Sequence, residues 1–184
     1  MRTDIPKLIF ESREDFRSWL TINAETSEGV WVVFGKSRSV KTLKATEALE
    51  EALCFGWIDG QMQSLDDTKY IKYFAKRRPK SVWSVKNKNI VESLRERGMM
   101  TDLGERAIAV SIDNGMWDAR TAESERAMVE SFKEKLLTHP EEHSVFLALT
   151  PSTQLAEARW YYQYKTEAKR EQAFNEIIKR LKKK

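Results

Sequence analysis

Pro79 divides the chain into two kinds of sequence: the runs with strand character all precede it, and from Ser84 onward the apolar residues recur at helical spacing. Any sheet must therefore be built from the N-terminal part alone. Val30–Phe34 is β-branched and aromatic, which suits a strand apolar on both faces at the centre of a sheet. Residues 57 to 65 read as a second strand, Asp66-Asp67-Thr68 as a turn, and Lys69 to Ala75 as the returning strand of an antiparallel hairpin.

Helices fill the rest. Ser12 with Asp15 forms a capping box ahead of Phe16, Trp19 and Leu20, predicting a helix over residues 12 to 24. The polar connection GKSRSVKT follows the first strand. Next comes a helix with Glu47, Glu50 and Glu51 early, where acids suit the dipole. Ala48, Leu49, Ala52, Leu53 and Phe55 supply its buried side, and Gly56 its C-cap. Ser84 caps a helix carrying Ile90, Val91 and Leu94 to Gly98, and Thr101 or Asp102 opens another with Leu103, Ala107, Ile108 and Ile112, stopped at Asn114-Gly115. Beyond Thr121, the stripe Met128, Phe132 and Leu136, the starts at Pro140 and Pro151, and a last helix burying Phe174, Ile177, Ile178 and Leu181 continue the pattern. The fold class expected is α+β: a small antiparallel sheet with a β-hairpin packed on helices, then an all-helical C-terminal half. Residues 1–98 form the α+β region and 99–184 a helical region packed on it, as one cooperative unit.

At 184 residues with 41% hydrophobic and 33% charged content, the chain has the make-up of a soluble globular protein. No apolar run approaches the roughly 20 residues of a membrane span. Acidic and basic residues interrupt the N-terminus where a secretory signal would be apolar, so a cytoplasmic location is expected. A single cysteine, Cys54, excludes an internal disulfide and any multi-cysteine metal cluster, and its setting between Leu53 and Phe55 reads as packing. His139 and His143 are spaced like helical metal ligands, but Pro140 makes His139 a boundary residue and no third ligand follows; neither metal nor cofactor is implied.

Charge is concentrated. Lys69–Arg97 holds ten Lys/Arg against two acids, a local +8 in a chain whose total is +4, so the remainder is acidic. Such a segment, interleaved with aromatic residues, suits an anionic partner. Asp59 should project on the same side as Trp57, within reach of an arginine, Arg77 or Arg78, returning across the hairpin. The candidate site therefore has Trp57 and Trp83 as apolar walls and Arg77 and Arg78 on the anion, with Asp59, Ser81, Ser84 and Asn87 orienting it. The alternative is structural: Asp59 fixes the hairpin through an arginine and Ser84 caps a helix. Lys69, Lys72, Lys76, Arg77, Arg78 and Lys80, among Tyr70, Tyr73, Phe74 and Trp83, also have the make-up of a surface that stacks bases and binds phosphates, although lysines guarding an edge strand look the same. With no histidine near this segment, no Ser/His/Asp or Cys/His set can be assembled; Asp59 with Arg77 is the remaining route to chemistry. The C-terminal helix, +5 from Lys165 to Lys184, could touch phospholipid or a partner, though its apolar stripe reads as core.

Several of these residues recur as ordered motifs: Gly56-Trp57-Ile58-Asp59-Gly60-Gln61, the hairpin, then Arg77-Arg78-Pro79-x-Ser81-x-Trp83-Ser84-x-x-Asn87, Gly98-Met99-Met100, Gly104 and Asp113-Asn114-Gly115-Met116-Trp117. Over residues 30 to 118, and more loosely at Lys165–Arg170, the chain resembles the bacterial YdeI/OmpD-associated family, labelled bacteriocin-protection proteins. Lys76 stands where that family often has proline before the paired arginines. The resemblance implies a role in tolerating antimicrobial peptides or envelope stress and carries no reaction, ligand or catalytic residue. The expectation is a non-enzymatic, cytoplasmic stress-tolerance protein binding an anionic ligand or protein partner at the Trp57/Asp59/Arg77/Trp83 site. The alternatives are an enzyme acting on a small anionic substrate there, or a nucleic-acid-binding module using the basic hairpin.

Overall fold

The computed structural model describes residues 5–37 and 40–183. Arg38 and Ser39 of the polar connection, and Lys184 of the terminal lysine tail, lie outside the described residues. The chain forms two compact units, Met1–Arg120 and Thr121–Lys184.

In the first unit the elements run β1 (Lys7–Ile9), α1 (Arg13–Asn23), β2 (Val30–Gly35), α2 (Ala45–Cys54), β3 (Trp57–Ser64), β4 (Lys69–Lys76), α3 (Val85–Glu96) and α4 (Asp102–Asp113). The sheet order is β1-β2-β4-β3, with β1 parallel to β2 and the remaining pairs antiparallel. The α+β layout is as read from the sequence, with the hairpin β3–β4 in place and β2 central. β1 is an addition that makes the sheet mixed: three residues are too few to carry a periodic signal, and their place is fixed by pairing with Trp31–Val33. Asp66 closes the hairpin turn, its Oδ1 accepting from the backbone N–H groups of Thr68 and Lys69.

The helices pack Phe16, Leu20, Leu53, Val91, Leu94 and Ile108 onto the buried Val30, Val32, Phe34 and Phe74 of the sheet. Ser12 caps α1 in a capping box, as its spacing with Asp15 predicts. α4, grouped by sequence with the helical half, belongs to the first unit because its start is bonded to the end of α2. Thr101 donates to the Cys54 carbonyl through both its backbone N–H (3.2 Å) and its Oγ1 (2.6 Å). Glycine permits this closeness, since a Cβ on Gly104 would sit 2.3 Å from that carbonyl oxygen, and one on Gly56, at φ +72°, 2.9 Å from the Ala107 Cβ.

Cys54 is fully buried at this junction, and burial pushes its thiol up despite the opposing influence of Arg17. The native protein is therefore expected to resist iodoacetamide at mildly alkaline pH and to be alkylated once unfolded in urea. Intact-mass measurement under both conditions checks this, and rapid native alkylation would contradict it.

The second unit comprises α5 (Ala122–Leu136), α6 (Pro140–Ala148), α7 (Pro151–Tyr162) and α8 (Glu167–Leu181) around Phe132, Leu136, Phe146, Tyr161, Phe174 and Ile177. Proline opens α6 and α7 as expected, and the α8 stripe is buried in this core. His139 precedes α6, its ring edge-on to Phe174. Among the described residues no helix is long and apolar enough to cross a membrane, and no three His, Cys, Asp or Glu cluster as metal ligands.

Candidate functional site

The segment after β4 is held on both sides by backbone bonds. Arg77 N–H donates to the Gly56 carbonyl (3.0 Å), Trp83 N–H to the Met116 carbonyl (3.2 Å), and Asn114 Nδ2 to the Pro79 carbonyl (2.9 Å). The loop is thus pinned between the start of the hairpin and the end of α4. It turns the Arg77 side chain inward, where the guanidinium lies over the Trp83 ring at 3.8 Å from its centroid. Arg77 Nη2 donates to the Val82 carbonyl at 2.8 Å. Its Nε and Nη1 are buried with no hydrogen-bond partner among the described residues, as is Trp83 Nε1.

Among the described residues no carboxylate lies within ion-pair distance of Arg77. Burial alone, unopposed by an anion, lowers its pKa to about 10. The contrast with the second unit is instructive. There Arg180 makes the same stack on Trp160, at 3.7 Å, and pairs with Glu157, and Arg159 pairs with Glu125, although each of the two keeps a buried Nε without a partner among the described residues. Arg77 has the stack without the acid.

Beside Arg77 opens a cavity of about 180 Å³ lined by Arg77, Arg78, Pro79, Trp83 and, from α4, Arg106, Ala107, Val110 and Ser111. Ser111 is buried and its hydroxyl donates to the Ile108 carbonyl at 2.7 Å. The side-chain N–H groups of Arg77 and Trp83 are donors only, so what they lack is an acceptor.

The eight residues singled out by sequence fall into four places. Arg77 and Trp83 come together at the cavity. Asp59 and Ser81 line a larger and more polar groove of about 620 Å³ along the hairpin, and Arg78 lines both this groove and the cavity. Trp57 is not a wall of either: it is fully buried, its Nε1 donating to the Ala24 carbonyl at 3.1 Å and its ring edge-on to Trp19. Ser84 caps α3 by accepting from the Asn87 backbone N–H, so these two act on the helix start.

The expected Asp59–Arg77 pair is corrected. Asp59 stands opposite Phe74 on β4, diagonal to Lys72, and its Oδ2 accepts from Lys72 Nζ at 2.8 Å instead. Both side chains are about one quarter exposed, which makes the pair a modest brace for the hairpin. The enzyme alternative loses its two-residue constellation by the same fact.

The basic hairpin is also largely committed to its own fold. Lys72 is taken by Asp59, Lys69 lies 4.0 Å from Asp66, and Lys76 donates to the Glu25 carbonyl. Tyr70 stacks on Phe34, Tyr73 leans on Trp31 and donates to the Glu28 carbonyl, and Phe74 is in the core. The rings that would stack on bases are occupied, and Arg78 and Lys80 remain exposed.

Arg106 and Val110 escaped sequence reading because they lie off the apolar stripe Leu103, Ala107, Ile108 and Ile112 that marks the helix. Only the docking of α4 through Gly56 and Gly104 brings them to Arg77.

The fold and this geometry define an α+β domain with a cationic, aromatic-walled cavity. A family model, the domain of unknown function DUF8412, matches residues 8–107, and the chain belongs to that family. The matched span runs from β1 into α4 and includes Arg77, Trp83 and Arg106. No curated protein and no solved structure matches the chain.

Proposed function

We propose that the first unit is a binding module for a small anionic ligand, held by Arg77 against Trp83 in the cavity bounded by α4. The observation that carries this is the half-satisfied guanidinium: stacked on Trp83 and bonded to Val82, with two nitrogens buried and no acid to meet them. A buried charge without a partner is costly, and an oxyanion supplies the missing acceptor and counter-charge together. The lining offers hydrogen-bond donors and no titratable group poised near neutral pH, which favours binding over catalysis. A cytoplasmic setting and a part in tolerance to antimicrobial peptides or envelope stress belong to the same proposal, resting on composition and the YdeI/OmpD-like motifs.

Arg77→Met tests the proposal. Methionine keeps the stem and a sulfur contact with Trp83 while removing the cation. The relief of burying a cation, several kcal/mol, is set against a cation–π contact of up to about 2 kcal/mol and a charged hydrogen bond of about 1.5–3 kcal/mol. Without oxyanions the terms nearly cancel, so the variant should melt close to wild type. Adding phosphate or acetate should then stabilise wild type, by about 1.4 kcal/mol at about ten times Kd, and leave the variant unmoved. Because the folded-state pKa lies below the ordinary value, the folded state binds fewer protons only above about pH 10, and stability rises with pH only there. Between about pH 6 and 8 the difference between the two proteins should be flat. A variant that melts far below wild type in every buffer, with no anion dependence in either protein, would make Arg77 purely structural.

A further inference from the structure

We infer that residues 78–82 form a strap that lifts to admit the anion and is latched by Asn114; this rests on the anion reading of Arg77 and specifies how the site is reached. Arg77 Nε and Nη1 and Trp83 Nε1 are buried, so an acceptor in the cavity does not meet them while the strap is down. A path to them has to open, and the walls differ in what opening costs. On the α4 side, the bond of Thr101 to the Cys54 carbonyl and the close approach at Gly56 and Gly104 leave no slack.

The strap is the looser wall. Its ends are fixed, by Arg77 N–H on the Gly56 carbonyl and by Trp83 N–H on the Met116 carbonyl. Its middle is held to the end of α4 by Asn114 Nδ2, which donates to the Pro79 carbonyl at 2.9 Å. Arg78, Pro79, Lys80 and Val82 are exposed, so lifting them carries no buried apolar side chain into water. Open space lies on both sides, the cavity beside Arg78 and Pro79 and the groove beside Arg78 and Ser81. Closure over an empty site buries a cation with unmet donors, which opposes it. An oxyanion beneath supplies acceptor and counter-charge, so the empty strap is weakly shut and the loaded strap firmly shut.

Hydrogen exchange of the Arg77 Nε–H and the Trp83 indole N–H, followed by NMR on the full chain with and without acetate, tests this. Without acetate the two protons should exchange together, more slowly than the Nε–H of exposed Arg78 and faster than the backbone amides of Val32 and Phe74. Saturating acetate should slow both. Asn114→Ala, at an exposed position, should speed their exchange roughly threefold to tenfold, the effect of losing one hydrogen bond. Asn114→Asp keeps the acceptor for the Met116 N–H and loses the donor to Pro79, and it should speed exchange as well. The latch is closed in the empty and the loaded state alike, so NMR line shapes should show acetate entering and leaving Asn114→Ala faster by the same factor, with Kd unchanged. Exchange of the two protons no faster than that of the Val32 and Phe74 amides, an effect of the alanine but not the aspartate, or acetate rates that Asn114→Ala leaves unmoved would overturn the inference. Each of these leaves the anion reading standing if acetate still saturates the Arg77 Nε–H. Absence of any saturable response to acetate would overturn the anion reading, and this inference with it.

Discussion

Glu51→Ala is expected to lower the unfolding free energy by about 3 kcal/mol, the lower end of the range for breaking a buried ion pair. Glu51 is wholly buried in α2 and takes both arginines of α1. Its Oε1 accepts from Arg13 Nε (2.8 Å) and Nη2 (2.5 Å), and its Oε2 from Arg17 Nη1 (2.7 Å). Arg17 continues to the Met99 carbonyl at 2.9 Å, so one carboxylate ties α1, α2 and the end of α3 together. Removing it leaves Arg13 with Glu50 alone and Arg17 without its carboxylate. Their side chains are 24% and 34% exposed and can partly recover water, which sets the lower end of the range. Glu50 touches the same Arg13 at 3.0 Å but is 27% exposed, and Glu50→Ala should cost under about 1 kcal/mol. Urea denaturation of both variants decides this; similar small losses would mean that Glu51 is not the hub.

Trp57→Ala is expected to cost about 3–5 kcal/mol through the cavity it leaves, in addition to a lost hydrogen bond to the Ala24 carbonyl. The indole is fully buried among Trp19 and its neighbours, and it joins the C-cap of α1 to the start of the hairpin. Trp57→Phe keeps most of the volume and isolates the hydrogen bond, for about 1–3 kcal/mol. Since Trp57 lines neither cavity nor groove, the folded Phe variant should bind anions as wild type does. A selective loss of anion affinity in it would return Trp57 to the site.

Those two residues also mark where sequence reading succeeds and where it stops. The hairpin was legible because apolar residues flank an Asp-Asp-Thr turn, and Asp66 closes that turn. Arg77 and Trp83 were legible because only the five residues 78–82 separate them in the loop after the hairpin. Asp59 was assigned the wrong cation because the register sets it opposite Phe74, with Lys72 its diagonal neighbour on β4 and Arg77 beyond the end of that strand. Glu51 was read as an acid suited to a helix dipole, whereas its partners lie on α1, at a sequence distance of 34 to 38 residues. Trp57 looked like a pocket wall since an aromatic beside aspartate fits a site as well as a core. β1 and the α4 wall of the cavity share one cause: both are placed by long-range docking, and neither carries a local pattern that announces it.

The central claim, that Arg77 is a cation awaiting an oxyanion, is tested most directly by side-chain NMR. In a ¹⁵N-labelled protein titrated separately with acetate and phosphate, the Arg77 Nε–H and the Trp83 indole N–H should shift together and saturate. The Trp83 response should vanish in Arg77→Met, with the remaining spectrum intact. An Arg77 Nε–H that stays unmoved at the highest concentration of either anion, in a protein whose exposed arginines Arg78 and Arg106 do respond, would contradict the account.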